Sequence, residues 1–165
     1  MNEVAEFVKV SFDEFLKTCH NINLIETDER IFDIWDAIKL PTRATEHSAG
    51  YDFFMPYSAF IDGKPQLIPT GIRARIAPGW FLMCCPKSGL GFKYEMSLAN
   101  TIGIIDGDYF NSDNEGHIMA KISASKVFYL NGGDKFMQGI FLPFGVTIND
   151  NTTGIRNGGF GSTGN

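Results

Sequence analysis

The sequence predicts an all-β barrel or sandwich, and three observations carry that reading. From Lys39 onward, short β-rich segments alternate with turn residues. Asp62-Gly63, Pro78-Gly79 and Gly132-Gly133 punctuate them. Helical periods are confined to about the first 38 residues. At 165 residues the chain is about one ordinary domain. A chain of that size buries roughly 70% of its unfolded surface and needs no staples.

The N-terminal extension, residues 1–38, reads as partly helical. Ser11-Phe12-Asp13-Glu14 is a capping box, in which Ser11 caps the first turn and Glu14 returns the bond. Phe12, Phe15, Leu16 and Cys19 follow at helical spacing, so a helix is expected from Ser11 to about Cys19. Ile31, Ile34, Trp35 and Ile38 fit a second, short helix over Asp28–Ile38. The core, 39–148, holds the expected strands Gly50–Met55, Gln66–Ile76, Trp80–Cys85, Gly103–Ile105, His117–Ser123, Lys126–Leu130 and Lys135–Pro143. The last segment, 149–165, has five Gly, four Asn and few large apolar side chains. It cannot form a core element and is expected to be a flexible arm.

Composition narrows the function. Hydrophobic residues at 44% and charged residues at 20% describe a globular chain. A net charge of −5, from 14 basic and 19 acidic residues, argues against a protein that coats nucleic acid. No apolar run approaches the ~18 residues a membrane span needs, and Met1–Lys9 lacks a signal-peptide layout. Cys19, Cys84 and Cys85 are an odd count, two of them adjacent, which makes a poor disulfide framework. Adjacent residues of a strand point to opposite faces, so Cys84 and Cys85 cannot easily chelate one metal. With His20, His47 and His117 scattered, no zinc spacing exists. The thiols read as small buried hydrophobes, and the location expected is cytoplasmic.

The 18 Gly, about 11% of the chain against an average near 7%, gather in segments that carry chemistry. Pro86-Lys87-Ser88-Gly89-Leu90-Gly91 combines two glycines, a hydroxyl and a cation, which suits a turn whose amides approach an anion; it also suits an ordinary turn. It is not a Walker loop. In Gly103-Ile104-Ile105-Asp106-Gly107-Asp108-Tyr109, Asp-Gly signals a hairpin. A carboxylate at its tip is either a general base, an outer-shell metal partner or a plain turn residue. Asp52, after Gly50, reads by itself as a turn or cap residue. Asp134 and Lys135 read as a solvated surface pair. The tail Arg156 to Gly164 exposes backbone amides beside Ser162 and Thr163, with Arg156 as a phosphate fork. Phe160 gives it an aromatic face on which a base stacks, worth about 1–3 kcal/mol.

Taken together, five segments in this order resemble the five motifs of the trimeric dUTPase family. They are Ala49-Gly50-Tyr51-Asp52, the Pro86 to Gly91 turn, the Asn100 to Tyr109 hairpin, Gly133-Asp134-Lys135-Phe136-Met137-Gln138, and Arg156 to Gly164. The resemblance covers roughly Lys39 to Asn165. It implies a jelly-roll-like β-clip barrel assembled as a homotrimer, with active sites at subunit interfaces covered by the arm of a neighbouring chain. It implies hydrolysis of dUTP to dUMP and pyrophosphate, with Mg²⁺ on the triphosphate. Asp106 would activate the water that attacks the α-phosphorus. Asn100 and the backbone around Gly103, Ile104, Ile105 and Met119 would read uracil. Tyr109 would pack under the deoxyribose. Lys87, Ser88, Gly89 and Gln138 would serve the phosphates, and Asp52 would reach Mg²⁺ through water. Phe160 would stack on uracil, while Arg156, Gly161, Ser162 and Thr163 would hold the γ-phosphate.

The chain departs from the family pattern in places. Lys87 and Lys135 stand where Arg is usual, and Lys is a point charge rather than a bidentate fork. Arg156 is one residue closer to Phe160 than in many members. Phe110 to Glu115 lengthens the hairpin tip. Residues 1–38 are not explained by the family core. Two other readings compete: a dCTP deaminase of the same fold, and an inactive nucleotide-sensing or protein-binding module. The Phe160 arm opposes the first, and retention of Asp106, Ser88 and the arm opposes the second.

Overall fold

The computed structural model describes residues 3–154, 156 and 158. In chain order it contains β1 (Ala5–Lys9), α1 (Phe12–Asn21), α2 (Asp28–Asp36), β2 (Thr42–Arg43), β3 (Tyr51–Phe54), β4 (Ala59–Ile61), β5 (Gln66–Ile76) and β6 (Trp80–Pro86). α3 (Ser88–Tyr94), β7 (Ser97–Leu98) and β8 (Gly103–Ile105) follow, then a 3-10 helix (Gly107–Asn111), β9 (Ile118–Ser123), β10 (Phe128–Leu130) and β11 (Lys135–Pro143). Three sheets result, ordered β1-β5-β9-β7, β10-β4 and β2-β3-β11-β6-β8. Every described pairing is antiparallel. No helix among the described residues is long and apolar enough to cross a membrane.

Most of the expected strands form, and β5, β8 and β11 keep the boundaries read from sequence. The Asp62-Gly63, Pro78-Gly79 and Gly132-Gly133 turns carry positive φ at Gly63, Gly79 and Gly133, where a Cβ would be strained. Cys84 is buried and Cys85 half-buried, as strand alternation requires.

β1 was not expected. It pairs with the second half of β5, Ala5 opposite Ile76 and Lys9 opposite Ile72. The first half of β5 pairs with β9, from Gln66 opposite Ile122. A bulge between Pro69 and Ile72 shifts the β5–β9 register, which resumes at Ile72 opposite Ile118, and Gly71 sits there at φ +70. A Cβ on Gly71 would lie 2.2 Å from Ile38 Cδ1. From β1, Phe7 reaches Tyr51, Phe53 and Phe141 at centroid distances of 5.4–5.6 Å, so it joins the two large sheets.

The N-terminal helices belong to the same apolar core as the strands. Phe15, Cys19, Ile31 and Ile38 are buried with Phe53, Ile68, Leu82, Ile118 and Phe136. Both helices are capped as sequence suggests: Ser11 Oγ accepts from Glu14 N–H, and Thr27 Oγ1 from Arg30 N–H. One half of the expected capping box is corrected. Glu14 does not return the bond to Ser11; its carboxylate turns to Lys17 and Thr18. Ser11 N–H donates instead to Glu115 Oε2 at 2.8 Å.

A second correction concerns Asp106-Gly107. The tight hairpin turn it suggests requires φ > 0 at both central residues, and neither residue has it. The chain enters the 3-10 helix instead, with Asp106 as its extended cap residue. β8 and β9 therefore do not form a hairpin: β8 pairs with β6, and β9 with β5 and β7.

Candidate active site

The motif positions build two charged clusters. The first lies where β8 ends. Asp106 caps the 3-10 helix through its backbone, accepting from Tyr109 N–H at 3.2 Å, and its side chain makes no cap bond. The carboxylate is thus left free for other work, and its side chain is 45% exposed. Arg156 takes it: Nη2 is 2.5 Å from Asp106 Oδ2, and Nε is 3.1 Å from Asp108 Oδ1. The same guanidinium lies 5.8 Å from the Tyr109 ring. Tyr109 is buried, donates its hydroxyl to His117 O at 2.9 Å and accepts from Asn114 Nδ2 at 2.8 Å. Burial pushes its phenol pKa up, which keeps it a donor.

The second cluster is set by three neighbouring strands. β11 lies between β3 and β6, so Gln138 stands opposite Asp52 on one side and Cys85 on the other. Asp52 is 1% exposed. Lys87 Nζ lies 2.5 Å from its Oδ1, and Lys135 Nζ 2.8 Å from its Oδ2. Burial alone would raise the Asp52 pKa; the two lysines outweigh it and hold the carboxyl below its ordinary value. The surface pair expected between Asp134 and Lys135 is not made. Asp134 instead accepts from the Asn131 backbone and side chain.

Lys87 is also the cap residue of α3, and Leu90 and Gly91 N–H bond its carbonyl. Ser88 and Gly89 occupy the first turn, where backbone N–H groups lack helical partners and can face an anion. Gln138 lies against Gly50, because a Cβ on Gly50 would meet Oε1 at 2.8 Å.

The remaining expected residues are spread over three elements. Gly103, Ile104 and Ile105 pair with Cys84, Met83 and Leu82 on β6, and Ile104 is exposed. Asn100 is exposed in the tight loop before β8, with its carbonyl accepting from Ile102 N–H at 2.7 Å. Met119 sits opposite Pro69 in the other large sheet. Phe160, Gly161, Ser162 and Thr163 lie outside the described residues.

Sequence reading missed four contributors: Asp108 as second partner of Arg156, and Arg73, Glu115 and His117 behind the 3-10 helix. Arg73 and Arg75, two apart in a mostly apolar strand, were the one visible signal. Among the described residues, no three His, Cys, Asp or Glu side chains converge as a metal cage.

A family model described as dUTPase matches residues 36–164, a span that includes all five motifs. The chain belongs to the dUTPase family. It is 39% identical over 133 residues to the deoxyuridine 5'-triphosphate nucleotidohydrolase of Lactococcus lactis, covering 77% of this chain and 89% of that protein. It is 39% identical over 140 residues to the Legionella pneumophila (strain Paris) protein of the same name, covering 79% and 90%. Among solved dUTPases, the crystal structure from Streptococcus mutans superposes with a TM-score of 0.60 at 38% identity, over 66% of this chain and 88% of that one. A dUTPase from phage phi11 of S. aureus, whose structure reveals the coordination of a structural Mg(II) ion, shares the fold at TM-score 0.63. It is 14% identical and spans 92% of this chain and 98% of its own.

Proposed function

We propose that this chain is a dUTP diphosphatase, hydrolysing dUTP to dUMP and pyrophosphate by attack of water on the α-phosphorus. That activity keeps uracil out of DNA and supplies dUMP for thymidylate synthesis. The dUTPase match across 36–164, which takes in every motif, is the observation that carries the reading.

In this reading Asp106 is the general base, since its carboxylate is not consumed by the helix cap it occupies. Arg156 is its counter-ion without nucleotide and a phosphate ligand with it. Tyr109 is held rigid as a floor for the deoxyribose, too close to admit a 2′-hydroxyl. Asn100 and the backbone of Gly103, Ile104, Ile105 and Met119 read the uracil edge. Lys87, with the first-turn amides of Ser88 and Gly89, meets the phosphates, and Gln138 supports them. Phe160 stacks on the base, while Gly161, Ser162 and Thr163 close over the γ-phosphate. Phosphoryl transfer needs such positioning and charge neutralisation more than covalent chemistry.

Mg²⁺ is proposed as the cofactor. Mg²⁺ is usually held by one or two carboxylates, waters and substrate phosphates rather than by an all-protein cage. Asp52 would reach the ion only through water, since both its oxygens are held by lysines, so the triphosphate itself would supply most of the ion's ligands. Bound on the triphosphate, Mg²⁺ would neutralise charge that a chain at −5 otherwise repels.

The working form proposed is a cytoplasmic homotrimer with sites at subunit interfaces. The family-like core of 39–148 is completed by the N-terminal helices, and the arm that resemblance assigns to a neighbour's site here returns, at Arg156, to Asp106 of its own chain. Pyrophosphate release from dUTP, with dTTP, UTP and dCTP as controls and with or without Mg²⁺, tests the reading. Release of ammonia from dCTP, or no turnover of dUTP, would overturn it.

A further inference from the structure

We propose that Glu115, clamped by Ser11 at the start of α1, is a positioning residue for the turn that carries Asp106 and Tyr109. Residues 110–115 and the N-terminal extension thereby acquire a role in the reaction. The inference rests on Asp106 being the base, as proposed above.

Glu115 lies beyond the 3-10 helix in the left-handed region, at φ 56, where a non-glycine residue is strained. Such a conformation persists only where its surroundings over-determine it. Here they do. Both carboxylate oxygens are held by one residue 104 positions away: Ser11 N–H donates to Oε2 at 2.8 Å and Ser11 Oγ–H to Oε1 at 2.5 Å. Arg73 adds an ion pair at 3.5 Å. Burial would raise the Glu115 pKa, but the Ser11 bonds and Arg73 outweigh it and keep the group ionised.

The held residue is wired to the catalytic turn. Glu115 N–H donates to Ser112 O at 2.8 Å, and Ser112 Oγ–H to Tyr109 O at 2.7 Å. Asn114 reaches the Tyr109 hydroxyl at 2.8 Å. Arg73 donates to Phe110 O and stacks on the Phe110 ring at 3.7 Å. Gly116, at φ +71, brings the chain so close beneath Tyr109 that a Cβ would meet Tyr109 O at 2.6 Å. From Tyr109, one backbone bond leads to Asp106. A shift of the turn is a shift of the base, and misplacement by about 1 Å can cost ~10²-fold in rate.

The test compares the full-length wild type with Ser11→Ala, Ser11→Thr, Glu115→Gln and the Ser11→Ala/Glu115→Gln double variant. Steady-state dUTP hydrolysis is measured well below each melting temperature, beside amide hydrogen exchange over residues 106–112. Ser11→Ala and Glu115→Gln are each expected to lower kcat roughly 10–100-fold with KM within about threefold. The double variant should fall no further than the worse single, exchange over 106–112 should quicken, and Ser11→Thr should restore the rate. Lowered melting temperature with unchanged kcat and exchange overturns the clamp as a positioning device. A wild type inactive on dUTP overturns the clamp and the proposed activity together, a result distinct from active wild type with equally active variants.

Discussion

Arg156 closes on Asp106 with Nη2 2.5 Å from Oδ2, while its Nε reaches Asp108 at 3.1 Å. A residue from the glycine-rich tail therefore neutralises the carboxylate proposed as base. A triphosphate would offer the guanidinium stronger, bidentate partners and release that carboxylate to its water.

Asp106→Asn should lower kcat by ~10²–10⁴ with little change in melting temperature, because the lost group is a base and makes no helix cap bond. Steady-state pyrophosphate release checks it, and unchanged turnover would exclude Asp106 as the base.

Truncation before Arg156 should abolish dUTP turnover and leave the barrel folded, since the last strand ends at Pro143. Size-exclusion chromatography with light scattering reads the assembly. Loss of the oligomer would instead make the arm a structural element.

Lys87 and Lys135 share one buried counter-ion, so their removal should be strongly non-additive. Either Lys→Met change leaves Asp52 one cation. Both together strand a carboxylate that is 1% exposed, so the double should cost more than the sum of the singles. Urea unfolding of the two singles and the double gives the coupling; strict additivity would show that the lysines act separately. Lys87→Arg keeps the charge and should keep activity.

Acid should weaken the fold through His117. The ring is fully buried, and its Nε2 accepts from Gly71 N–H at 2.9 Å, which requires the neutral form. Nδ1 lies 3.3 Å from Thr18 Oγ1, whose own hydroxyl donates to Glu14 at 3.2 Å. Burial pushes the His117 pKa down to about 4, against an opposing pull from Glu115. The folded value lies below the unfolded one, so protons favour the unfolded chain. The stability this group contributes is present above the unfolded pKa near 6.5 and is lost as pH falls toward 4. Urea melts at pH 7.5 and pH 5 should differ more in wild type than in His117→Gln. Equal differences would place the acid sensitivity elsewhere.

How far the sequence reaches can be judged from particular residues. β5, β8 and β11 were legible because their patterns are local: β-branched and aromatic runs bounded by Gly, Pro and Asp. Ser11 was legible as a cap because the helix it starts lies in the next residues. The family was legible because five motifs keep their order along the chain. β1 was not, since five residues with one partly buried face gain their order only from a partner strand more than sixty positions on. The Asp106-Gly107 turn was misread because the dipeptide fits both a hairpin and a helix start, and the partner strands decide between them.

The sequence by itself determined the β architecture, the motif residues and the chemistry they suit. Only the tertiary structure decided which charges meet. It placed Asp52 beneath both Lys87 and Lys135, and gave Arg156 to Asp106 and Asp108. It gave the Ser11 N–H to the Glu115 carboxylate in place of that of Glu14, three residues on. Hydrogen bonds and ion pairs act over about 3 Å of space, and the chain sets that distance only after it has folded.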